Sequence, residues 1–273
     1  MKISVKPQTQ GWWVDEQGEG FPLVLLHGLG ANAFSWRHNV AFLAQHFRVL
    51  ALDLPGHGRT PASLVSQHRL ETMAQALGNW LKGQGLARFA VAGNSLGGSL
   101  ALLLARDHPE EVAALILLAP AVALFRLPWI FYALRLPGLG IIIAALLGPW
   151  ILPWALRLTY HRRELITPAV IQGYAPTFRP LANRLALRRL AQQAEPWPPA
   201  KVEALLRTIH QPTCILWGVE DRILPVRQAY WLATHLPQAE LHFLPAVGHA
   251  PQEEAPDAVN KIIIAFLKYS LKN

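Results

Sequence analysis

The sequence predicts an α/β fold with a mostly parallel central sheet flanked by helices. Short apolar runs with the length of buried strands recur along the chain, and segments with helical spacing of apolar residues lie between them. This alternation is typical of parallel strands joined by crossover helices. The predicted strands are residues 21–26, 47–52, 89–93, 113–118, 214–217 and 241–244. The predicted helices are residues 34–45, 70–84, 96–108, 226–236 and 256–271.

The alternation fails in one long segment, residues 121–208, which is rich in proline, tryptophan, leucine and arginine and has no clear strand. We interpret this segment as a helical cap inserted into an α/β core of residues 1–120 and 209–273. A chain of 273 residues is long enough for one such core with an insertion. In parallel sheets, ligands bind beyond the carboxyl ends of the strands, so functional residues are expected directly after strands.

The composition excludes several classes of protein. With 52% hydrophobic and 15% charged residues, the chain is too apolar to be disordered. The single cysteine, Cys214, permits no intramolecular disulfide and no multi-cysteine metal site. The formal charge of +8 comes from residues 121–194, which have nine arginines and one acid. Because the charges elsewhere balance, we expect no nucleic acid partner. Since no apolar signal segment follows the first lysine, we expect a cytoplasmic location.

A G-x-S-x-G motif lies between a predicted strand and a predicted helix, in the segment AVAGNSLGG at residues 90–98. A serine on such a tight turn is pushed out above the sheet, near the positive end of the following helix. Ser95 is therefore the candidate nucleophile. An ordinary glycine turn before a helix gives the same pattern, so the interpretation depends on finding a base and an acid.

Candidates for both follow later strands. A serine hydroxyl needs a base that accepts its proton and an acid that orients the base. The loop GVEDRILP at residues 218–225 contains Asp221, and the loop PAVGHAP at residues 245–251 contains His249. The resulting chain order, serine then aspartate then histidine, is typical of one class of α/β serine hydrolases.

Taken together, the segments GNSLGG, GVEDRILP and GHAPQEEAP resemble the α/β-hydrolase family, and the resemblance covers the chain except the insertion. It implies the α/β-hydrolase fold with the cap inserted after the sixth strand. It also implies a catalytic triad of Ser95, Asp221 and His249, because Asp221 matches the family position of the acid. We interpret the adjacent Glu220 as solvated. Three further acids after the histidine are interpreted as charges that favour a helix N-terminus. These are Glu253, Glu254 and Asp257.

The segment LLHGLG at residues 25–30 resembles the HGxG oxyanion loop of the same family. By this resemblance, the backbone N–H groups of Leu29 and Leu96 form the oxyanion hole. We interpret His27 as a structural histidine that braces the loop. In the segment DLPGHGRT at residues 53–60, Asp53 and His57 are expected to fix a turn. The histidines show no metal-ligand spacing, so we expect no metal site.

The cap contains 21 consecutive uncharged residues, 136–156, which is long enough for a membrane span. Prolines and glycines interrupt this segment, and a span here would separate Ser95 from Asp221 and His249 across a bilayer. We therefore interpret it as a lid that covers the active site with apolar surface. Its arginines are able to contact anionic headgroups or to stay solvated, so peripheral contact with a membrane or lipid surface is a second possible partner interaction. The sequence leaves the oligomeric state open.

These motifs predict a serine hydrolase of the carboxylesterase or lipase type. It would cleave carboxylic esters of hydrophobic substrates through an acyl-enzyme, without a cofactor. One alternative is hydrolysis of an activated carbon–carbon bond, although such relatives often carry an aromatic residue where this chain has Ala250. Another alternative is a ligand-binding receptor on the same fold that does not turn its ligand over.

Overall fold

A computed structural model describes residues 11–122, 129–193 and 197–272. Seven strands form one sheet in the order β1-β3-β2-β4-β5-β6-β7. β1 pairs antiparallel with β3, and every other neighbouring pair is parallel. This arrangement confirms the predicted fold class. The strands are β1 Val14–Gln17, β2 Pro22–Leu26, β3 Arg48–Leu52, β4 Phe89–Asn94, β5 Val112–Leu118, β6 Thr213–Gly218 and β7 Ala239–Leu244.

Twelve α-helices accompany the strands in the described part of the chain. They are α1 Val40–Leu43, α2 Leu70–Gly83, α3 Leu96–Asp107, α4 Trp129–Arg135, α5 Leu139–Leu146, α6 Leu152–Thr159, α7 Pro168–Phe178, α8 Leu181–Gln193, α9 Pro199–Arg207, α10 Arg227–His235, α11 Pro251–Glu254 and α12 Pro256–Ser270. Four 3₁₀ turns lie between them, at Ala33–Trp36, Ala62–Leu64, Pro149–Ile151 and Arg163–Leu165.

The core lies in two layers, one on each face of the sheet. Successive side chains of a strand point to opposite faces, so Val24 and Leu26 of β2 pack with α2, α3, α9 and α10. Leu23 and Leu25 pack on the other face with α1 and α12. Because both faces are covered, the central strands need apolar side chains at nearly every position. This explains the continuous apolar runs in the sequence.

Two local predictions differ from the structure. β1 was not predicted, because this short edge strand has mostly half-buried and polar residues and lacks an apolar run. The predicted helix at residues 34–45 is a 3₁₀ turn, Ala33–Trp36, followed by the single-turn helix α1. Between them Asn39 is buried, and its side-chain amide donates to Asn260 Oδ1 at 2.8 Å.

Helices α4 to α8 form the insertion between β5 and β6. Among the described residues, this insertion follows the fifth strand, whereas the resemblance implied a position after a sixth; residues 1–10 lie outside the described residues. α9 packs with the core layer through Val202, Leu205 and Leu206. The boundary at residue 208 therefore stays a prediction. Parts of the predicted cap, residues 123–128 and 194–196, also lie outside the described residues.

The cap has small apolar clusters of its own. One cluster joins α6, α7 and α8 with Ala250 of the core, and another joins α4, α5 and α8.

Across the residues that the structure describes, no single helix has the length and apolarity to cross a membrane, whereas Leu139–Leu146 and Pro149–Thr159 meet these criteria as a pair bent by 81°.

Candidate active site

The predicted site residues lie at the carboxyl ends of parallel strands. Ser95 follows β4, Asp221 lies in the loop after β6, and His249 lies in the loop after β7. The loop after β2 contains Leu29. Ser95, His249, Leu29 and Leu96 line one cavity of about 300 Å³ beneath the cap. This is the position at which a parallel sheet binds its ligands.

Ser95 lies on a strained turn between β4 and α3. Its φ of 53° and ψ of −114° are unusual for a residue with a side chain. The turn is held by hydrogen bonds from Ser95 N to the Leu118 carbonyl at 2.9 Å and from Ala121 N to the Ser95 carbonyl at 3.0 Å. Since the surrounding backbone fixes this conformation, the serine side chain is presented to the cavity.

Two glycines of the motif allow this tight turn. A Cβ at Gly93 would lie 2.3 Å from the Gly97 carbonyl oxygen. A Cβ at Gly97 would lie 2.3 Å from the Leu26 carbonyl oxygen. Both distances are far below van der Waals contact, so only glycine fits at these two positions. The G-x-S-x-G pattern is therefore a steric requirement of the strand, turn and helix.

The structure brings Asp221 and His249 together. His249 Nδ1 donates to Asp221 Oδ2 at 2.7 Å, and the two side chains are 6% and 0% exposed. The other carboxylate oxygen, Oδ1, accepts from the backbone N–H groups of Ile223 at 2.8 Å and Leu224 at 2.9 Å. The carboxylate is thus fixed before it orients the ring. Because Nδ1 carries the proton, Nε2 is the nitrogen that is able to accept one.

Ser95 and His249 share the cavity without a hydrogen bond between them. Within the described residues, the Ser95 hydroxyl has no hydrogen-bond partner on the His249 ring. Hydrogen bonds between a nucleophile and its base often tighten only when substrate binds. The structure therefore brings together the acid and the base and places the nucleophile in their cavity, while the catalytic roles of all three stay predictions.

The His249 loop is held by backbone contacts from three directions. His249 N donates to the Thr159 carbonyl of the cap at 2.8 Å. Asn94 Nδ2, directly before the candidate nucleophile, donates to the His249 carbonyl at 3.0 Å. Gly248 N donates to Glu254 Oε1 at 2.9 Å. The histidine is therefore positioned by the cap, by the serine turn and by its own following helix.

The predicted oxyanion loop lies next to the serine turn. A Cβ at Gly28 would be 3.3 Å from the Ser95 Cβ, so the two loops are in close approach. Neither Leu29 N nor Leu96 N donates to a backbone carbonyl in the described parts of the chain. Leu96 is the first residue of α3, and the first N–H groups of a helix have no intrahelical partner. Both groups are able to donate to a ligand in this cavity.

His27 braces the oxyanion loop, as the sequence predicted. Its Nε2 accepts from Leu54 N at 2.9 Å, so the proton is on Nδ1, which donates to the Gly28 carbonyl at 2.8 Å. Burial and the neighbouring His57 hold the pKa of His27 well below its usual value. A neutral ring with both nitrogens bonded to backbone serves as a structural strut.

Asp53 and His57 hold the backbone around the turn at residues 53–60, and neither lines the cavity. Asp53 accepts from Ala33 N at 2.7 Å and Arg59 N at 2.8 Å. Burial raises the pKa of Asp53 to about 6. Burial also lowers the pKa of His57 to about 4, so this ring is neutral near pH 7. The predicted turn-fixing role matches these contacts.

Glu253 and Glu254 have a role that sequence reasoning missed. They lie in the short helix α11, as expected for helix-start acids, but both are buried, whereas Glu220 and Asp257 are exposed. Glu254 Oε2 accepts from the backbone N–H groups of His161 at 2.8 Å and Arg162 at 2.9 Å. Its other oxygen holds Gly248, so one carboxylate joins the cap to the histidine loop.

Glu253 forms the second such contact. It accepts from the Tyr160 hydroxyl in the cap and pairs with Arg37 in the core, and it lines the cavity. Burial raises the pKa of Glu253, and Arg37 opposes this shift. The sequence signal for these two acids is their closeness to His249. Their partners in the cap lie 93 positions away, and Arg37 lies 216 positions from Glu253.

The cavity wall is mostly apolar. The cap contributes Phe131, Leu152, Leu156 and Phe178, and the core contributes Leu29 and Ile223. Among the described lining residues, one arginine is present, Arg69, and the acid Glu71 lies two positions after it and also lines the cavity. This lining fits an uncharged apolar ligand.

Three possible metal ligands lie together at the other end of the strands. Ligand atoms of Cys214, Glu240 and His242 are within 4.8 Å of one another on β6 and β7. Burial raises the pKa of the Cys214 thiol, which disfavours the thiolate that a metal requires. None of the three lines the cavity.

Comparison with known proteins identifies the family. Residues 23–262 match the sequence profile described as the alpha/beta hydrolase family. The chain belongs to the alpha/beta hydrolase family. A curated relative of this alpha/beta hydrolase is a 2-hydroxy-6-oxo-6-phenylhexa-2,4-dienoate hydrolase from Burkholderia cepacia. It is 28% identical over 260 residues, covering 93% of this chain and 90% of that protein.

Two solved structures are similar to this alpha/beta hydrolase over nearly its whole length. One is a membrane phospholipase A described as a bacterial virulence factor, with a TM-score of 0.80 and 28% identity, covering 96% of this chain and 84% of that chain. The other is a thermophilic esterase from Thermogutta terrifontis, with a TM-score of 0.80 and 24% identity, covering 97% of each chain. The second likeness shows the fold alone. Alpha/beta hydrolases with different reactions thus share this architecture.

Proposed function

We propose that this alpha/beta hydrolase cleaves carboxylic esters of uncharged, hydrophobic substrates through an acyl-enzyme on Ser95. The observation that carries the proposal is that Ser95 and the Asp221-held His249 line one apolar cavity. A fixed carboxylate, an imidazole bonded to it through Nδ1 and a serine in the same cavity as that imidazole are the components of nucleophilic acyl transfer.

The proposed reaction uses each of these groups in turn. His249 Nε2 takes the proton of Ser95 as its oxygen attacks the ester carbonyl carbon. The N–H groups of Leu29 and Leu96 stabilise the negative charge that develops on the carbonyl oxygen, and one such donor is typically worth ~3 to 4 kcal/mol. The alcohol then leaves with the proton from His249. Water repeats the sequence on the acyl-enzyme and releases the carboxylic acid, which restores Ser95.

The cavity lining supports the substrate class. Phe131, Leu152 and Leu156 form an apolar cap wall. The cavity volume of about 300 Å³ suits a small or medium acyl group. An anionic substrate would need a cationic partner inside the cavity, and Arg69 is the lining residue that could supply one among the described residues. The similar phospholipase A is also, by its name, a lipid hydrolase.

Hydrolysis of a carbon–carbon bond is the second candidate function. It is favoured by the 28% identity to the Burkholderia cepacia dienoate hydrolase, which covers almost the whole of both chains. The substrate in that protein's name is a carboxylate. In this chain the apolar lining and Ala250, directly after the candidate base, support the ester instead.

A series of p-nitrophenyl esters of increasing acyl length tests the proposal. We expect the wild type to hydrolyse them with an optimum at one chain length, and Ser95→Ala to lose at least about 10³-fold in kcat/KM. The same two proteins are then given 2-hydroxy-6-oxo-6-phenylhexa-2,4-dienoate. Turnover of the dienoate with no turnover of any ester would overturn the ester proposal in favour of the second candidate.

A further inference from the structure

The outer face of the cap exposes an unusual number of large apolar side chains. We define the cap outer face by ten residues on and around α4, α5 and α6. They are Trp129, Tyr132, Leu136, Leu139, Ile141, Ile142, Leu146, Trp150, Trp154 and Leu158, each at least 40% exposed. Leu146, Trp150 and Trp129 reach 68%, 67% and 65%. An aromatic side chain, such as the four in this set, carries about 150 to 250 Å², and leucine and isoleucine side chains are somewhat smaller. The face therefore presents on the order of 1,000 Å², above the ~300 to 600 Å² of the largest patch on a typical monomer.

Contacts within the cap join these side chains into one surface. The rings of Trp129 and Trp154 are 6.2 Å apart in an edge contact, which connects α4 with α6. Trp150 Nε1 donates to the Leu146 carbonyl at 3.1 Å, which connects the 3₁₀ turn with α5. α4 also packs on α5, with Leu134 and Ala144 in their shared cluster. The cap outer face is thus formed by neighbouring elements that contact one another.

The charge of the cap limits what is able to cover this face. Residues 129–193 contain eight arginines, no lysine and one acid, Glu164. Arg157 is exposed on α6 between Trp154 and Leu158 in the sequence, and Arg163 is exposed after the end of α6, whereas Arg162 pairs with Glu164 at 3.0 Å. Two copies of this chain that met through the same face would bring like charges together. An anionic lipid surface offers both an apolar interior and opposite charge.

The same helices line the substrate cavity. α4 contributes Phe131 to the cavity and Trp129 and Tyr132 to the outer face. α6 contributes Leu152 and Leu156 to the cavity and Trp154 and Leu158 to the outer face. A lipid-soluble molecule in a lipid surface that contacts the cap outer face would therefore be separated from the cavity by the thickness of one helix.

We propose that the cap outer face docks onto the surface of an anionic lipid bilayer, with its tryptophans and isoleucines entering the headgroup region and its arginines contacting headgroups. Tryptophan and tyrosine prefer this interfacial depth because their rings are amphipathic. The interaction is a peripheral one, and it does not depend on the reaction that the cavity catalyses.

Co-sedimentation with vesicles tests the docking directly. The full-length protein is mixed with phosphatidylcholine vesicles, or with vesicles of phosphatidylcholine and phosphatidylglycerol in equal parts, at low and high salt. We expect binding to the anionic vesicles, a blue shift of tryptophan emission, and weaker binding at high salt because arginine contacts are screened. No sedimentation with anionic vesicles at low salt would overturn the proposal.

A pair of matched double variants identifies the docking face. Leu146→Ser with Trp150→Ser changes the cap outer face, and we expect partition to anionic vesicles to fall about 10-fold or more. Phe42→Ser with Tyr230→Ser changes two exposed residues on the surface of the α/β core domain, and vesicle binding should stay at the wild-type level. Equal binding by both variants would contradict the assignment of the face.

A second copy of the chain is the competing occupant, and size-exclusion chromatography without lipid distinguishes it. We expect the wild type and the cap double variant to elute alike. Conversion of a wild-type dimer to a monomer by the cap variant, together with no vesicle binding, would assign the face to self-association and overturn the proposal. Circular dichroism of both double variants verifies that the altered surface residues leave the fold intact.

Discussion

The side-chain amide of Asn94 donates to the backbone carbonyl of His249 at 3.0 Å and to the carbonyl of Leu118 at 3.1 Å. The residue before the candidate nucleophile therefore holds the loop of the candidate base, 155 positions later in the chain. Asn94 is buried, and the Leu118 carbonyl that it contacts also accepts from Ser95 N, so this side chain joins the serine turn to the His249 loop. This contact links the turn of the candidate nucleophile to the loop of the candidate base.

Replacing Asn94 should reduce catalysis beyond its effect on stability. In Asn94→Ala the His249 carbonyl loses this donor and the loop is free to shift, so we expect kcat for the best ester to fall about 10-fold, equivalent to ~1.4 kcal/mol. The control is Asn183→Ala, another buried asparagine that donates to a backbone carbonyl, that of Gly58. It should destabilise the protein with little change in kcat. Wild-type kcat in Asn94→Ala would contradict the positioning role.

Glu254→Gln should loosen the contact between cap and histidine loop. The carboxylate accepts three backbone N–H groups on two oxygens, whereas an amide has one accepting oxygen. At least one buried N–H must then lose its partner, at a cost of about 1 to 3 kcal/mol in the free energy of unfolding. We expect kcat to fall as well, because Gly248 adjoins His249. Denaturant unfolding and ester kinetics measure the two effects.

The exposed residue Glu19, in the loop between β1 and β2, provides the comparison for this variant. Glu19→Gln makes the same chemical change outside the cap contact and should alter neither stability nor kcat appreciably. If both glutamine variants behave alike, the buried bridge has no special contribution.

The strained turn at Ser95 predicts that glycine is more stable than alanine at this position, which is the reverse of the order inside a helix. At a φ of 53° glycine is unstrained and alanine is not, so we expect Ser95→Gly to be more stable than Ser95→Ala by about 1 kcal/mol. At Ser99, inside α3, the order should be the ordinary helical one, with alanine more stable by about 1 kcal/mol. Thermal unfolding of the four variants measures both differences. The same order at both positions would show that the turn stores no strain.

The buried carboxyl of Asp53 should make stability depend on pH. Its pKa is raised to about 6 in the folded protein and lies near 4 in the unfolded chain. Between these values the folded state binds more protons, so the contribution of Asp53 to stability falls as pH rises from about 4 to 6. Two pKa units correspond to roughly 3 kcal/mol. Urea unfolding of wild type and Asp53→Asn from pH 4 to pH 7 measures this, because the difference between them isolates the one carboxyl. A difference that stays constant over this range would contradict the shift.

Much of the fold follows from local features of the sequence. A strand buried on both faces must be apolar along its length, so the five strands β2 to β6 were visible as apolar runs. The parallel edge strand β7 is mostly half-buried, and its prediction came from a shorter run at residues 241–244. The turn around Ser95 was visible because backbone atoms approach Gly93 and Gly97 too closely for any side chain. The edge strand β1 was not visible, since its pairing with β3 is made by backbone groups that every residue carries.

The candidate site likewise has some features that the sequence predicted and others that only the tertiary structure decided. Ser95, Asp221 and His249 each follow a strand, and the carboxyl ends of parallel strands meet at one edge, so chain order alone predicted their convergence. The burial of Glu253 and Glu254 was decided by the tertiary structure, because Tyr160 and His161 of the cap and Arg37 of the core are distant from them in the sequence. The cap's apolar composition could be read in advance. Which of its side chains face the cavity and which face outward depends on how α4, α5 and α6 pack, and that is a property of the folded chain.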